Sequence, residues 1–170
     1  MELDEMFRLY VNDIYRYVFS LSKNHHTAED LVQEAFYKAY VQLESCEIYN
    51  MKAWLFKVAY HAFIDFQRKH KRVDIQDSVY SVGKDCNTPE SLLMEKENYG
   101  RLLSIIHELP VNEKHVLILC DLHSLSNKEA AEVLNMKLNT VKSHLYRGRQ
   151  RAIKKIKELN HSDEGWTESR

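Results

Sequence analysis

The sequence predicts an all-α protein of two small helical domains joined by a flexible acidic linker, and three observations support this prediction. Apolar residues recur every three or four positions through most of the 170 residues, which is the spacing of amphipathic helices. The chain has only four Gly and two Pro, whereas a β-rich fold needs many turns. Residues 73–88 lack helical periodicity and separate two helical regions.

The first domain, residues 1–72, is predicted to contain three helices. Thr27 followed by Asp30 resembles a capping box and predicts that the second helix begins there. Residues 44–50 interrupt the periodicity as a loop. The apolar positions that we expect to face the core are Met6, Leu9, Tyr10, Ile14, Tyr17, Val18 and Leu21 in the first helix, and Leu55, Ala59, Ala62, Phe63 and Phe66 in the third.

The linker, residues 73–88, carries three acidic residues and one basic residue. Thr88 as N-cap and Pro89 at the first helical position predict that the second domain, residues 89–160, opens with a helix. The apolar run from Val116 to Cys120 predicts a buried helix within this domain. Residues 161–170 are predicted to form a disordered tail.

The end of the second domain has the pattern of a helix-turn-helix. Ser126 and Glu129 form a capping box at the start of one helix, and Asn135 lies where the chain must turn with positive φ. Asn139 is the predicted N-cap of the next helix, in a segment (137–157) with eight Lys or Arg and no Asp or Glu. This basic helix is predicted to enter a DNA major groove, with its apolar stripe at Val141, Leu145, Ile153 and Ile156.

The composition argues against a membrane or secreted protein. The apolar run from Val116 to Cys120, the longest in the chain, is far too short to span a bilayer. The N-terminal MELDEMFRLY lacks the basic and apolar regions of a signal peptide. The three cysteines are scattered without a CxxC motif, which suits reduced thiols in a cytosol. We therefore expect a cytoplasmic protein.

The motifs and their order resemble a known family, the extracytoplasmic-function (ECF) type of RNA polymerase sigma factor in the sigma-70 family. TAEDLVQEAFYKAY (27–40) is similar to the family's polymerase-binding helix, and KAWLFKVAYHAFIDFQRKHKR (52–72) to its promoter-melting helix. The segment 109–156, with LPVNEKHVLIL and SLSNKEAAEVLNMKLNTVKSHLYRGRQRAIKKI, is similar to its fourth domain. The resemblance implies that residues 1–72 are sigma domain 2 and residues 89–160 are sigma domain 4.

The resemblance also implies three sets of binding residues. The polymerase clamp helices would bind Asp30, Gln33 and Glu34, and the minus-10 promoter element would bind Lys57, Tyr60, His61, Ile64, Arg68 and Lys71 beside the loop 44–50. His61 stands where many relatives carry Asn, so the resemblance does not indicate which minus-10 base is preferred. The minus-35 element would bind Lys142, Ser143, Tyr146, Arg147 and Arg149, and we expect phosphates or solvent beside Arg149, Arg151, Lys154 and Lys155.

The implied function is an alternative sigma factor that binds core RNA polymerase, at its clamp helices and flap, and initiates transcription at specific promoters. The family works in stress or envelope responses. Its members are commonly controlled by an anti-sigma factor, in many cases anchored in the membrane. The partners implied for this chain are therefore core polymerase, promoter DNA and an anti-sigma factor.

Two other classes of protein fit less of the sequence. A response regulator can end in a similar TVKSH helix (140–144), but its receiver domain would need strands that residues 1–72 do not predict. A helical di-iron enzyme would need two Glu-x-x-His pairs, and the chain has one, Glu158 with His161. Because no phosphate loop or G-x-S-x-G motif is present, we expect no enzyme activity, cofactor, metal or small-molecule substrate.

Overall fold

The computed structural model describes residues 3–71 and 90–164, and these residues form helices and no strand. The all-α prediction is therefore confirmed. The predicted linker, residues 73–88, and the predicted helix start at Thr88 and Pro89 lie outside the described residues.

Contacts within the chain divide it into two compact units. The first contains the described residues up to 71, and the segment 128–136 groups with it. The second contains the described residues 90–127 and 137–164.

The first unit is built on three helices, α1 (Leu3–Ser22), α2 (His25–Leu43) and α3 (Met51–His70). Each of these helices packs against the other two. Tyr17 of α1 and Phe56 of α3 are both fully buried, with ring centroids 4.9 Å apart. Their neighbours in the core include the apolar positions predicted by periodicity, namely Met6, Ile14, Val18, Leu55, Ala59, Ala62 and Phe63. Leu9, which was also expected in the core, is 56% exposed.

Asparagine caps set the starts of α2 and α3. The Asn24 side chain accepts a hydrogen bond from the Thr27 backbone N–H at 3.0 Å, so α2 begins at His25. The predicted capping box at Thr27 and Asp30 is therefore wrong, because Asn24 lies earlier and satisfies the same backbone donor. Asn50 accepts from the Ala53 N–H at 3.1 Å, which ends the loop 44–50 where the sequence predicted it.

The second unit contains α4 (Glu90–His107), α5 (Val111–Leu117) and α7 (Leu138–Glu164). Helix α5 continues into a π-helical turn at Ile118–Leu122, in which the His123 N–H donates to the Ile118 carbonyl at 3.2 Å. The sequence predicted the burial of this apolar run but not its π geometry. Helix α5 packs mainly against α7, and α4 contacts both of them.

The buried face of α7 differs from the predicted stripe. Val141 and Leu145 are buried as expected, but Ile153 and Ile156 are 45% and 36% exposed. In a straight helix, positions 148 and 152 lie seven and eleven residues after Val141 and therefore share its buried face. Ile153 lies well to one side of that face. The residues that complete the buried face are Gly148 and Ala152.

Gly148 brings α7 close to α5. A Cβ at this position would lie 3.3 Å from Leu117 Cδ1 and 3.4 Å from Glu113 Cβ. Glycine inside a helix costs about 1 kcal/mol relative to alanine, and here its missing side chain allows the two helices to approach. The helix continues to Glu164, beyond the domain end predicted at residue 160, since no Gly or Pro interrupts residues 149–164.

His115 is an ionisable residue within the core of the second unit, with 5% exposure. Burial, followed by the charges of Lys114 and His107, lowers the pKa of His115 to about 4 from its ordinary 6.5. Between these two values the unfolded chain binds more protons than the folded chain. The neutral His115 therefore makes its full contribution to the stability of the folded state above pH 6.5. That contribution to the free energy of unfolding is lost as the pH falls from 6.5 towards 4.

We expect His115 alone to reduce the free energy of unfolding by about 2 kcal/mol between pH 7 and pH 5, because the unfolded imidazole gains a proton that the folded one resists. The variant His115→Leu cannot titrate and should lose less stability over the same interval. Urea unfolding of both proteins, followed by circular dichroism at each pH, measures the difference. Equal losses in the two proteins would contradict the lowered pKa.

Candidate nucleic-acid interface

Residues 127–164 form two successive helices joined by a short turn, as the helix-turn-helix pattern predicted. Helix α6 (Asn127–Leu134) begins directly after Ser126, and the Met136 N–H closes its end by donating to the Ala131 carbonyl at 2.9 Å. Asn135 has a φ of 52°, the left-handed conformation that its position predicted. Helix α7 begins at Leu138, so the predicted N-cap is wrong by two positions.

Asn139 lies inside the first turn of α7. The Val141 N–H donates to the Lys137 carbonyl at 3.0 Å, which makes Lys137 the residue that precedes the helix. The Asn139 carbonyl instead accepts from the Ser143 hydroxyl at 3.0 Å. The first backbone hydrogen bond of α7 therefore starts at Lys137, two residues before the predicted cap.

The first three turns of α7 present a polar face opposite the buried Val141 and Leu145. All four residues predicted to reach base edges there are exposed, and the ring of Tyr146 is 67% exposed. Lys142 makes no ion pair with any side chain in the part of the chain that the structure describes. The face consists of Lys142, Ser143, Tyr146 and Arg147.

Arg149 is held by a bidentate contact with Asp121 of the π-helical turn. Its Nε donates to Asp121 Oδ2 at 2.9 Å and its Nη2 donates to Oδ1 at 2.6 Å. Two parallel hydrogen bonds of this kind fix the plane of the guanidinium. The charge of Arg149 is therefore largely matched within its own unit.

Glu113 of α5 interacts with the two arginines that lie on either side of Arg149 in the sequence. Arg151 Nη1 donates to Glu113 Oε2 at 3.0 Å, and Arg147 Nε lies 3.7 Å from Oε1. Lys155 forms a further ion pair with Glu108, which follows α4. In contrast, Lys154 lies 4.0 Å from Glu158 of its own helix.

The sequence predicted phosphates or solvent beside the later basic residues of α7. Three of them, Arg149, Arg151 and Lys155, instead pair with acidic side chains of the second unit. No local signal identifies these partners, since they lie 28 to 47 residues earlier in the chain. The uneven distribution of charge along the sequence was visible, but the partners depend on how α5 and α7 pack.

The face of α3 predicted to bind the minus-10 element is largely accessible. Lys57, His61, Arg68 and Lys71 are exposed, and Tyr60 and Ile64 are half-buried. Burial raises the pKa of the Tyr60 hydroxyl, so this ring stays neutral under ordinary conditions. The Tyr60 and His61 rings are neighbours, with centroids 5.8 Å apart.

An open cleft of about 590 Å³ lies beside the loop 44–50. Its wall includes Tyr49, which is 96% exposed. Aromatic side chains with open faces are suited to stacking on unpaired bases. The other residues of the wall are Tyr10, Leu43, Cys46, Glu47, Ile48, Asn50, Met51 and Lys52.

The residues predicted to bind core polymerase lie together on α2. Asp30, Gln33 and Glu34 are all exposed, while the opposite side of the helix is buried against α1 and α3. Glu34 forms an ion pair with Lys38 at 2.6 Å, one turn further along. Tyr37, 67% exposed, adds an aromatic ring next to these polar groups.

The residues that the structure describes contain no group of three or more His, Cys, Asp or Glu arranged to hold a metal ion. Within the same residues, no helix is both long enough and apolar enough to cross a bilayer.

Comparison with known proteins gives matches to two family models. Residues 6–73 match the model of sigma-70 region 2, and residues 99–151 match the model of sigma-70 region 4. The first match covers α1 to α3, and the second includes the helix-turn-helix.

Individual proteins of known identity are similar over most of the chain. The ECF RNA polymerase sigma factor SigM of Bacillus subtilis (strain 168) is 40% identical over 152 residues, which cover 89% of this chain and 93% of that protein. The ECF RNA polymerase sigma factor SigW of the same organism is 32% identical over 163 residues, or 89% and 87% of the two chains. The sigma factor RpoE of Bartonella quintana, solved in complex with the anti-sigma factor NepR, superimposes with a TM-score of 0.72 at 25% identity, covering 91% of this chain and 96% of that one.

The contacts of Arg149 with Asp121 and of Arg151 with Glu113 should contribute different amounts to the free energy of unfolding. Arg151→Ala leaves the buried Glu113 carboxylate with a weaker partner and should lower the free energy of unfolding by about 1–3 kcal/mol. Arg149→Ala should cost less than about 1 kcal/mol, because Asp121 is 32% exposed and water can replace the arginine. Thermal unfolding of these two matched variants measures both losses. A larger loss for Arg149→Ala would contradict the difference in burial.

Proposed function

Because the chain belongs to the ECF type of RNA polymerase sigma factor in the sigma-70 family, we propose that it divides promoter recognition between residues 1–72 and 89–160, joined by the linker 73–88. Sigma factors direct RNA polymerase to promoters and act as initiation factors rather than as catalysts. The finer proposal assigns a separate binding surface to core polymerase, to the minus-10 element and to the minus-35 element. We place this activity in the cytoplasm.

Core polymerase binds the exposed face of α2 formed by Asp30, Gln33 and Glu34. The acidic groups supply charge for basic residues of the clamp, and the neighbouring Tyr37 supplies apolar area. The opposite face of α2 is buried, which fixes the orientation of this surface on the first unit. Residues 89–160 bind the flap of the polymerase.

The minus-10 element binds along α3 and the loop 44–50. The contacts proposed for the sugar-phosphate backbone come from Lys57, Arg68 and Lys71, and those for unpaired bases from Tyr60, His61 and Ile64. Single strands are held in this way because basic groups attract the phosphates while aromatic rings stack on the bases. The exposed Tyr49 and the cleft beside it offer space for a base removed from the stack.

The minus-35 element binds α7, and the polar face of its first three turns is the observation that carries this assignment. Lys142, Ser143, Tyr146 and Arg147 are exposed at the end of a helix-turn-helix that meets base edges in the major groove. Arg149 follows at the edge of the same surface, with its plane fixed by Asp121. We assign it to the phosphates beside the bases that Arg147 reads.

We further propose control by an anti-sigma factor. The support is the likeness to RpoE of Bartonella quintana, which was solved with its anti-sigma factor NepR. Such a partner would act by covering the polymerase-binding and DNA-binding surfaces while transcription is not required.

Charge reversal on α2 should separate polymerase binding from folding. The double variant Asp30→Arg with Glu34→Arg is expected to lose co-elution with core polymerase on gel filtration, because two attractive charges become repulsive. Asp4→Arg with Glu5→Arg makes the same change in net charge on α1 and should still co-elute. Retained co-elution of the α2 variant would remove these residues from the docking surface.

Two substitutions on α7 should affect promoter binding by the holoenzyme in different ways. Arg147→Ala is expected to cost about 1–3 kcal/mol at one or two minus-35 base pairs, because it removes a base contact. Lys154→Ala should weaken all promoters alike and reduce the salt dependence of log K by about one. The measurement is binding of holoenzyme to single-base minus-35 variants across a salt series, using a promoter identified by run-off transcription.

An equal loss on every sequence for Arg147→Ala would show that this side chain contacts phosphate. Failure of the chain to support any transcription with core polymerase would contradict the proposed function itself.

A further inference from the structure

Glu113 differs from the other acidic partners of α7 because it is buried. Its side chain is 5% exposed, compared with 32% for Asp121 and 66% for Glu108. A carboxylate at this depth needs cations or donors to replace the lost water. The compensation comes from Arg147 and Arg151 of α7.

The two arginines interact with Glu113 in different ways. Arg151 donates a hydrogen bond of 3.0 Å to Oε2, whereas Arg147 Nε lies 3.7 Å from Oε1, within ion-pair distance but too far for a good hydrogen bond. Arg151 therefore provides the direct compensation, and Arg147 is attracted by charge. This trio keeps a net charge of +1, while the pair of Asp121 and Arg149 is neutral.

Arg147 retains donors for an acceptor outside the protein. Of the five N–H groups of its guanidinium, Nε faces Glu113 and one Nη2 hydrogen is donated to His144 Nδ1 at 3.2 Å. Three N–H groups are left, and the side chain is 53% exposed. A bidentate contact with a guanine edge needs two of them in one plane.

The position of Glu113 relative to Arg147 is fixed by the backbone. Gly148 follows Arg147 directly, and a Cβ on it would lie 3.4 Å from both the Glu113 Cβ and the Glu113 carbonyl oxygen. The backbone of Glu113 is thus held beside Gly148 of α7 by the contact between the two helices. This keeps its side chain within reach of Arg147 and Arg151.

We propose that Glu113 is a positioning residue for promoter reading, which holds the Arg147 guanidinium in place for a minus-35 base pair. The inference rests on the proposed function, in which Arg147 contacts a base edge. An arginine that is already oriented loses less conformational freedom on binding than one that rotates in solvent. The buried acid thereby affects specificity without touching DNA.

The test uses holoenzyme and a labelled promoter fragment together with its single-base minus-35 variants. Arg147→Ala first identifies the base pair, through a loss of discrimination of about five- to a hundredfold. Glu113→Gln keeps the shape but removes the charge, and it should reduce discrimination at the same base pair by about three- to tenfold, a part of the Arg147 effect. Adding Glu113→Gln to Arg147→Ala should cause no further loss of discrimination. Glu108→Gln, the same change at an acid that pairs with Lys155, should leave discrimination unaltered.

The outcomes separate the two proposals. If Arg147→Ala alters discrimination and Glu113→Gln weakens all fragments equally, Glu113 only supports the fold and the positioning role is wrong. If Arg147→Ala leaves discrimination unchanged, the reading assignment and the positioning role are both wrong. Should Glu113→Gln unfold at the assay temperature, Glu113→Asp retains the charge but withdraws it from Arg147. It should then produce a smaller loss at the same base pair, and a uniform loss would overturn the inference.

Discussion

The close contact between α5 and α7 at Gly148 is the constraint on which the second unit depends. Because Gly148 has no side chain, the Glu113 backbone approaches α7 and its carboxylate is buried there. A buried carboxylate must be compensated, and the arginines one residue before and three residues after Gly148 provide the charge. The packing of apolar surface and the arrangement of charge on α7 are thus one structural feature.

The packing of α5 against α7 helps to explain how a chain of net charge −1 carries a segment, residues 137–157, with eight cations and no acid. The middle of the helix is matched by Glu113 and Asp121, and its later part by Glu108. The polar face of the first three turns, which includes Lys142 and Arg147, stays accessible to an external polyanion. Charge along α7 therefore holds the unit together, and its accessible part supports the proposed attraction of DNA.

In the first unit, the candidate binding surfaces lie on helices whose opposite faces are buried against one another. Side-chain caps at Asn24 and Asn50 fix where α2 and α3 begin. The apolar residues of α2 and α3 determine which face of each helix is buried. Asp30 on α2 and His61 on α3 lie on the opposite, exposed faces.

The sequence by itself determined the helical fold class, the helix-turn-helix with its left-handed Asn135, and the family, because periodicity, turn chemistry and motif order are local properties. It also identified exposed residues on α2, α3 and α7, although their binding roles are still proposals. Only the tertiary structure decided that Asn24 caps α2 in place of Thr27, that Ile153 is exposed, and that Arg149 and Arg151 pair with acids far away in the chain. Those outcomes depend on competition between nearby caps and on which helix faces meet. Neither can be read from one segment, since a long basic side chain accepts whichever acid the packing of the helices brings within reach.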